Sequence, residues 1–251
     1  MIKVVLLGSG NVASHLANAL ASAANVDLLQ RYGRSERNNS FFDSGIPFTT
    51  HLNALEKADV YIIAINDDSI EGFSKSVEHL KGLVVHTSGS VPMAAIDNKL
   101  RKGVLYPVQT FSKGKALDFK LVPLALETEN EDDYRLLYEL GTSISDVVIR
   151  VNSSQREKLH LSAVFANNFS NYMFLTAKDI CDDHDLSFDI LRPIILETAQ
   201  KIMNTDPLIA QTGPARRNDS KVIEKQLLSL EGEKKEIYRV LTNAIKKRYQ
   251  R

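Results

Sequence analysis

The chain has 251 residues, with 31 basic and 31 acidic side chains, one cysteine and no tryptophan. At roughly 150 residues per domain, that length suits one large domain or two modest ones, each able to bury a core. A formal net charge of zero and 43% apolar residues exclude a generic polyanion binder and a disordered chain. Cys181 has no second cysteine to pair with, so a disulfide-stapled scaffold is excluded and a reducing cytoplasm is the expected setting. The leading run MIKVVLL stops at glycines and is too short to span a bilayer, so neither a signal peptide nor a membrane anchor is expected.

In chain order, Ile2 to Leu7 is a continuous apolar run, the pattern of a strand covered on both faces. Val12 to Ala24 is alanine-rich and predicts a helix, and Val26 to Tyr32 predicts a second strand. Further strands are expected at Ala58 to Ile65, Leu83 to His86, Gly103 to Tyr106, Leu121 to Leu126 and Val147 to Val151. This alternation is the rhythm of a doubly wound, mostly parallel α/β sheet, a Rossmann arrangement. From Ser153 onward the texture becomes helical, and only Gly213 and Gly232 of the twelve glycines lie beyond residue 150. Ser154-Gln155-Arg156-Glu157 reads as a capping box opening a helix that lasts to about Ile180. That helix is apolar on nearly every side between Leu161 and Leu175, which predicts burial among other elements. A helix from Ser187 to Met203 contains Pro193 deep enough to bend it. A loop at 212–219 is followed by a helix from Ser220 and a last amphipathic helix near Lys234 to Arg248. The expected division is a Rossmann domain at 1–152 and an all-α domain at 153–251.

Gly8-Ser9-Gly10-Asn11-Val12-Ala13 is a G-x-G-x-x-A motif between the first strand and the first helix. Gly8 allows the tight turn, Gly10 lets backbone approach a pyrophosphate, and Ala13 permits close helix–strand packing. An NAD site places a carboxylate at the end of the second strand. Here that segment reads Gln30-Arg31-Tyr32-Gly33-Arg34-Ser35-Glu36-Arg37. Arg34 and Ser35 offer a guanidinium and a hydroxyl to the 2′-phosphate of NADP(H), with Glu36 as the competing NAD-type reading. Ala64-Ile65-Asn66-Asp67-Asp68 ends a strand at the ligand-facing sheet edge and is expected beside the cofactor, with Asp67 or Asp68 as a helix cap in the structural alternative.

His86-Thr87-Ser88-Gly89-Ser90 ends another strand at that edge, with His86 beside the cofactor and Ser88 near the nicotinamide or a substrate carboxylate. On a regular helix, Asn167 and Asn171 fall within about 20° of His160, while Asn168 falls about 80° away. Reduction of a carbonyl or imine needs a proton donor, and histidine titrates near neutrality, so His160 is the candidate. Its structural alternative is an interface histidine, and the asparagines serve equally well as interhelical hydrogen-bonding groups. In Thr212-Gly213-Pro214-Ala215-Arg216-Arg217-Asn218-Asp219, an arginine, Arg217 in particular, is placed on an anionic substrate while Asn218 or Asp219 caps the next helix. Cys181-Asp182-Asp183-His184-Asp185 has no second ligand cluster, so no metal is expected.

GSGNVA, the arginine–serine pair after the second strand, HTSGS, LYPVQTF at 105–111, KLHLSAVFANNF at 158–169 and TGPARRND at 212–219 together resemble a known family across the chain. It comprises bacterial Rossmann-like NADP-binding oxidoreductases with a C-terminal helical domain of unknown function, related to pyrroline-5-carboxylate, ketopantoate and hydroxyisobutyrate reductases. The resemblance implies NADP binding, a helical dimerisation domain and reduction of a small keto or imino acid. By motif position it points to Ser88, Gly89, His160, Asn168 and the 212–219 loop; the helical wheel prefers Asn167. Two departures stand out. Related hydroxyacid dehydrogenases carry a lysine and an asparagine about four residues apart here, whereas Lys158 is followed at that spacing by Ser162. Where close relatives commonly have His-Pro, this chain has Tyr106-Pro107.

The expectation is therefore an NADPH-dependent reductase acting on a small carboxylate in an interdomain cleft. It would be a homodimer through its C-terminal helices, with neither nucleic acid nor membrane as partner. The rival is a non-catalytic NADPH-binding sensor or interaction protein.

Overall fold

The computed structural model describes residues 1–35 and 45–249. Eight strands form one sheet: β1 (Ile2–Leu7), β2 (Val26–Tyr32), β3 (Phe48–Thr49), β4 (Val60–Ile63), β5 (Leu83–His86), β6 (Arg101–Pro107), β7 (Leu124–Thr128) and β8 (Val148–Arg150). Their order is β3-β2-β1-β4-β5-β6-β7-β8. All neighbours are parallel except β6 and β7, which pair antiparallel with Leu105 opposite Leu126. The order reverses between β1 and β4, the switch point where ligands enter open α/β sheets. The two-residue β3 carries too little periodicity to be seen in the sequence.

The uninterrupted apolar runs of β1 and β4 follow from burial on both faces. Val4, Leu6 and Ile62 point to one side, with Leu16 and Leu20 of α1 (Asn11–Ala21) and Leu137 and Leu140 of α3 (Glu131–Ile144). Val5, Leu7 and Ile63 point to the other, with Ile70 of α2 (Ile70–Ser76) and Val77. Successive strand residues thus serve different layers, so no polar alternation survives in the sequence.

The helix expected from Ser154 to Ile180 differs in three respects. Its start, α4 (Ser153–Ala163), is capped by Asn152, whose side chain accepts from the Gln155 amide while Gln155 accepts from the Asn152 amide, each at 2.9 Å. The reciprocal pair therefore lies two residues before the one expected at Ser154 and Glu157. Residues Val164–Phe169 then form a π-helical turn before α5 (Ser170–Asp182). A π-turn accommodates an extra residue, so a constant 100° per residue overruns beyond it. Finally, Phe165, Phe169 and Leu175 are 62, 50 and 47% exposed in the single chain, contrary to the expected burial.

Packing divides the chain into two compact units, residues 1–168 and 169–251. The second contains α5, α6 (Arg192–Asn204), α7 (Pro207–Ala210), α8 (Pro214–Arg217), α9 (Ser220–Leu228) and α10 (Gly232–Tyr249). Pro193 does not bend α6. It lies in the helix's first turn, where a missing N–H leaves no bond unmade and a fixed φ favours initiation. Within this unit α8 packs on α9 and α10, and the Tyr249 hydroxyl donates to the Leu208 carbonyl at 2.7 Å. Among the described residues no helix is long and apolar enough to cross a membrane.

Candidate active site

A cleft of about 1330 Å³ opens at the carboxyl edge of the sheet. Every residue lining it lies between Gly8 and Asn168, inside the first compact unit.

The two motif glycines face opposite constraints. Gly8 has φ +146°, and a Cβ there would sit 2.1 Å from the Ala64 carbonyl oxygen, so only glycine lets β1 turn against the end of β4. A Cβ on Gly10 would meet no protein atom within 4 Å, although the residue lines the cleft. Nothing in the protein requires glycine at that point; a ligand brought against the backbone would. Gly10 also begins α1, whose N-terminus has no side-chain cap and no acidic residue in its first turn. Its first N–H groups suit a phosphate. Ala13 is fully buried under this turn, whereas Ser9, Asn11 and Val12 line the cleft. These features fit a dinucleotide.

Arg34 is exposed and lines the cleft beyond β2; Ser35 is exposed but outside the lining. The competing Glu36 lies outside the described residues. Ala64, Ile65, Asn66 and Asp67 all line the cleft. Asp67 does not cap α2. Its Oδ2 accepts the hydroxyls of Ser88 at 2.8 Å and Ser90 at 2.6 Å, tying the turns after β4 and β5 together. The Ser88 hydroxyl also accepts from the Ser90 and Val91 amides, at 3.2 and 3.1 Å.

His86 lies beneath the cleft, 0% exposed, and its Nδ1 accepts the Ser88 amide at 3.2 Å. Burial, reinforced by the Arg156 guanidinium, lowers its pKa to about 4, so the ring is neutral.

His160 and Tyr106 meet in the lining. The Tyr106 hydroxyl lies 3.1 Å from His160 Nδ1, with the rings edge to face. Gly89 makes this contact possible, because a Cβ there would fall 2.6 Å from His160 Nδ1 and 2.7 Å from Tyr106 Cζ. Asn167 and Asn168 both line the cleft. The helical wheel separated them because it assumed an unbroken α-helix, which the π-turn interrupts.

Two contributions were not foreseen: the Tyr106 contact and Arg156. Arg156 is 1% exposed, one helical turn before His160 on α4. It donates to the Ser88 and Gly89 carbonyls at 3.0 and 2.9 Å and to Glu127 of β7 at 3.2 Å. Glu127 also accepts the Ser153 hydroxyl at 2.6 Å. A fully buried guanidinium satisfied by two carbonyls and a carboxylate locks the turn after β5 to α4.

Arg217 lies in the second unit, exposed at the end of α8. Its neighbour Arg216 is spent within that unit, donating to the Ile209 carbonyl at 3.0 Å and to that of Gln211. Asp219, not Asn218, caps α9 by accepting the Val222 amide at 3.3 Å. Asn218 instead closes α8 in the left-handed conformation.

Comparison with known proteins adds the lineage. A family model described as "Domain of unknown function (DUF2520)" matches residues 122–245. A provisionally assigned NADP oxidoreductase from Bacteroides fragilis is 34% identical, with 98% of each chain covered and a TM-score of 0.87. A Thermotoga maritima protein, 18% identical, aligns over 99% of this chain and 100% of its own with a TM-score of 0.82. Pyrroline carboxylate reductase from Plasmodium falciparum, solved with NADP bound, shares the fold at 12% identity, 98% coverage of both chains and a TM-score of 0.64. No curated protein sequence matches the chain significantly. Full-length similarity to the Bacteroides protein, with the helical-domain match, decides the matter: the chain belongs to the Rossmann-like NADP-binding oxidoreductases that carry a C-terminal helical domain of unknown function.

Proposed function

We propose that this protein is an NADPH-dependent reductase of a small keto or imino acid, ketopantoate-like or pyrroline-carboxylate-like. The observation that carries the reading is one cleft lined both by the Gly8–Val12 turn with Arg34 and by His160. At about 1330 Å³ it exceeds the roughly 300–1,000 Å³ of ordinary small-molecule pockets, leaving room for a dinucleotide and a second small molecule. The α1 N-terminus and Gly10 backbone hold the pyrophosphate, and Arg34 holds the 2′-phosphate. NADPH, when bound, supplies the hydride. His160 supplies the proton to the oxygen or nitrogen that becomes negative, while Asn167 or Asn168 hydrogen-bonds the substrate. Ser88 orients its carboxylate, for which Ser88 must exchange its bond to Asp67. In this reading 1–152 is the nucleotide-binding domain and 153–251, which opens with α4 and His160, is the substrate and dimerisation domain.

A homodimer belongs to the same proposal. It is supported by exposed apolar side chains on and just before α6, with Ile190 at 71%, Ile194 at 62% and Met203 at 81% exposure. A concentration-independent monomer mass by light scattering would refute it. The test of function is NADPH oxidation against a panel of small keto and imino acids, including ketopantoate and pyrroline-5-carboxylate. His160→Ala should lower turnover of the accepted substrate about 100-fold or more. Tight NADPH binding with no turnover across the panel would favour a sensor instead.

A further inference from the structure

We infer that Tyr106 is a positioning residue for His160: its hydroxyl oxygen accepts the hydrogen on Nδ1 and orients the ring so that the hydrogen on Nε2 is the one given to the substrate. The inference rests on the reading of His160 as proton donor and adds to it a residue that carries no assigned role.

Three features fix the arrangement. The 3.1 Å separation of Tyr106 Oη and His160 Nδ1 is a hydrogen-bond distance, between groups 54 residues apart that both line the cleft. The same edge of the imidazole lies against Gly89, where a Cβ would fall 2.6 Å from Nδ1 and 2.8 Å from Cγ. That edge is therefore occupied by protein, and Nε2 is the nitrogen left for chemistry. Arg156, on the preceding turn of α4, holds the Gly89 carbonyl at 2.9 Å, so the surface against which the ring rests is itself anchored.

The direction of the bond follows from protonation. Burial raises the Tyr106 pKa above that of an ordinary phenol, with Arg156 opposing and Asp67 adding to the effect, so at neutral pH the phenol stays uncharged and its oxygen accepts as a neutral group. An imidazole that gives up a proton does so from its doubly protonated form, and a ring that loses the hydrogen on Nε2 keeps the other on Nδ1, where it donates to the Tyr106 oxygen. Tyr106 thereby sets which nitrogen keeps its hydrogen and which gives it up, and it restrains rotation of the ring.

The experiment compares the parent protein, Tyr106→Phe, His160→Ala and the double variant. Phenylalanine keeps the buried ring and removes only the hydroxyl. The first readout needs no substrate: nitrogen-15 NMR of histidine-labelled protein near neutral pH, with His160 identified by its loss in His160→Ala. In the parent, Nδ1 should resonate at the upfield position of a protonated ring nitrogen and move downfield in Tyr106→Phe, as the ring returns to the ordinary tautomer with hydrogen on Nε2. The second is steady-state kinetics on the accepted substrate. Tyr106→Phe should lower kcat about 10-fold with KM for NADPH unchanged, and should cost nothing further in the His160→Ala background. An unmoved Nδ1 resonance overturns the inference whatever the activity. So does a kinetic loss in Tyr106→Phe that adds in full to that of His160→Ala. A resonance that moves as expected in a protein turning over none of the panel supports the Tyr106–His160 bond while counting against the reductase reading, so the two failures are distinguishable.

Discussion

Replacing Arg156 by methionine tests how the site is held together. The substitution removes the guanidinium from a place where it is 1% exposed and its partner Glu127 is 9% exposed. Four groups lose a donor: the Ser88 carbonyl, the Gly89 carbonyl, the Ser153 hydroxyl and one oxygen of Glu127, whose carboxylate then keeps only Ser153. Breaking a buried pair by deleting one member costs about 3–5 kcal/mol, because the remaining charge stays buried. Against a typical total of about 5–15 kcal/mol, the variant should fold but be seriously weakened. For a unit of this size that corresponds to a fall in Tm of about 6–20 °C. Circular dichroism during heating and urea titration gives the number directly. Arg156→Met combined with Glu127→Leu should recover part of the loss, since no buried carboxylate then lacks its partner. A loss below about 1 kcal/mol in the single variant, the scale of a surface ion pair, would refute the reasoning.

The two motif glycines should separate folding from binding. Gly8→Ala should lower Tm, because its Cβ would collide with the Ala64 carbonyl, whereas Gly10→Ala should melt like the parent yet bind NADPH at least 10-fold more weakly by fluorescence titration. Weak binding by neither variant would remove the glycine turn from the cofactor site. His86 should impose an acid limit on stability. Its folded pKa of about 4 lies below the ordinary 6.5, so the unfolded chain takes up the proton first, and stability should fall between about pH 6.5 and 4 by up to about 3 kcal/mol. Urea midpoints across that range should be flatter in His86→Asn; identical slopes would exclude His86 as the source. Arg34→Ala should abolish a preference for NADPH over NADH, and equal affinities in the parent would sink the assignment of Arg34 to the 2′-phosphate.

How much of this could be read from the sequence depends on the range of the interaction. The glycine turn follows from neighbouring residues: a β-rich run, two glycines and an alanine-rich helix occupy consecutive positions. The strands are equally local, and seven of the eight lie where hydrophobic runs predict them. The Asn152–Gln155 cap was obscured by a second plausible pair two residues later, because both have suitable side chains and only the backbone course selects one. Pro193 is ambiguous for a similar reason: its effect depends on whether the helix begins before it or at it. The π-turn at 164–169 is less accessible still. Its sequence, VFANNF, does not announce an inserted residue, yet it changes which asparagine a helical wheel selects. Tyr106–His160 and Arg156–Gly89 join positions 54 and 67 residues apart, and nothing local marks either pair. Only the Tyr106-Pro107 departure from the His-Pro of relatives offered a signal.

The one-turn spacing of Arg156 and His160 has a mechanical consequence. Four residues of helix rise by about 6 Å, so the imidazole sits on a very short lever from its anchor. Small rocking of α4 is multiplied little over that distance. Because the anchor grips the same Gly89 segment against which the imidazole rests, a shift of the turn and a shift of the ring share one fulcrum and tend to occur in phase. The gap between Gly89 and His160 is thereby protected from fluctuations that would move either side alone, so the contact between the ring and the turn keeps its spacing while α4 rocks.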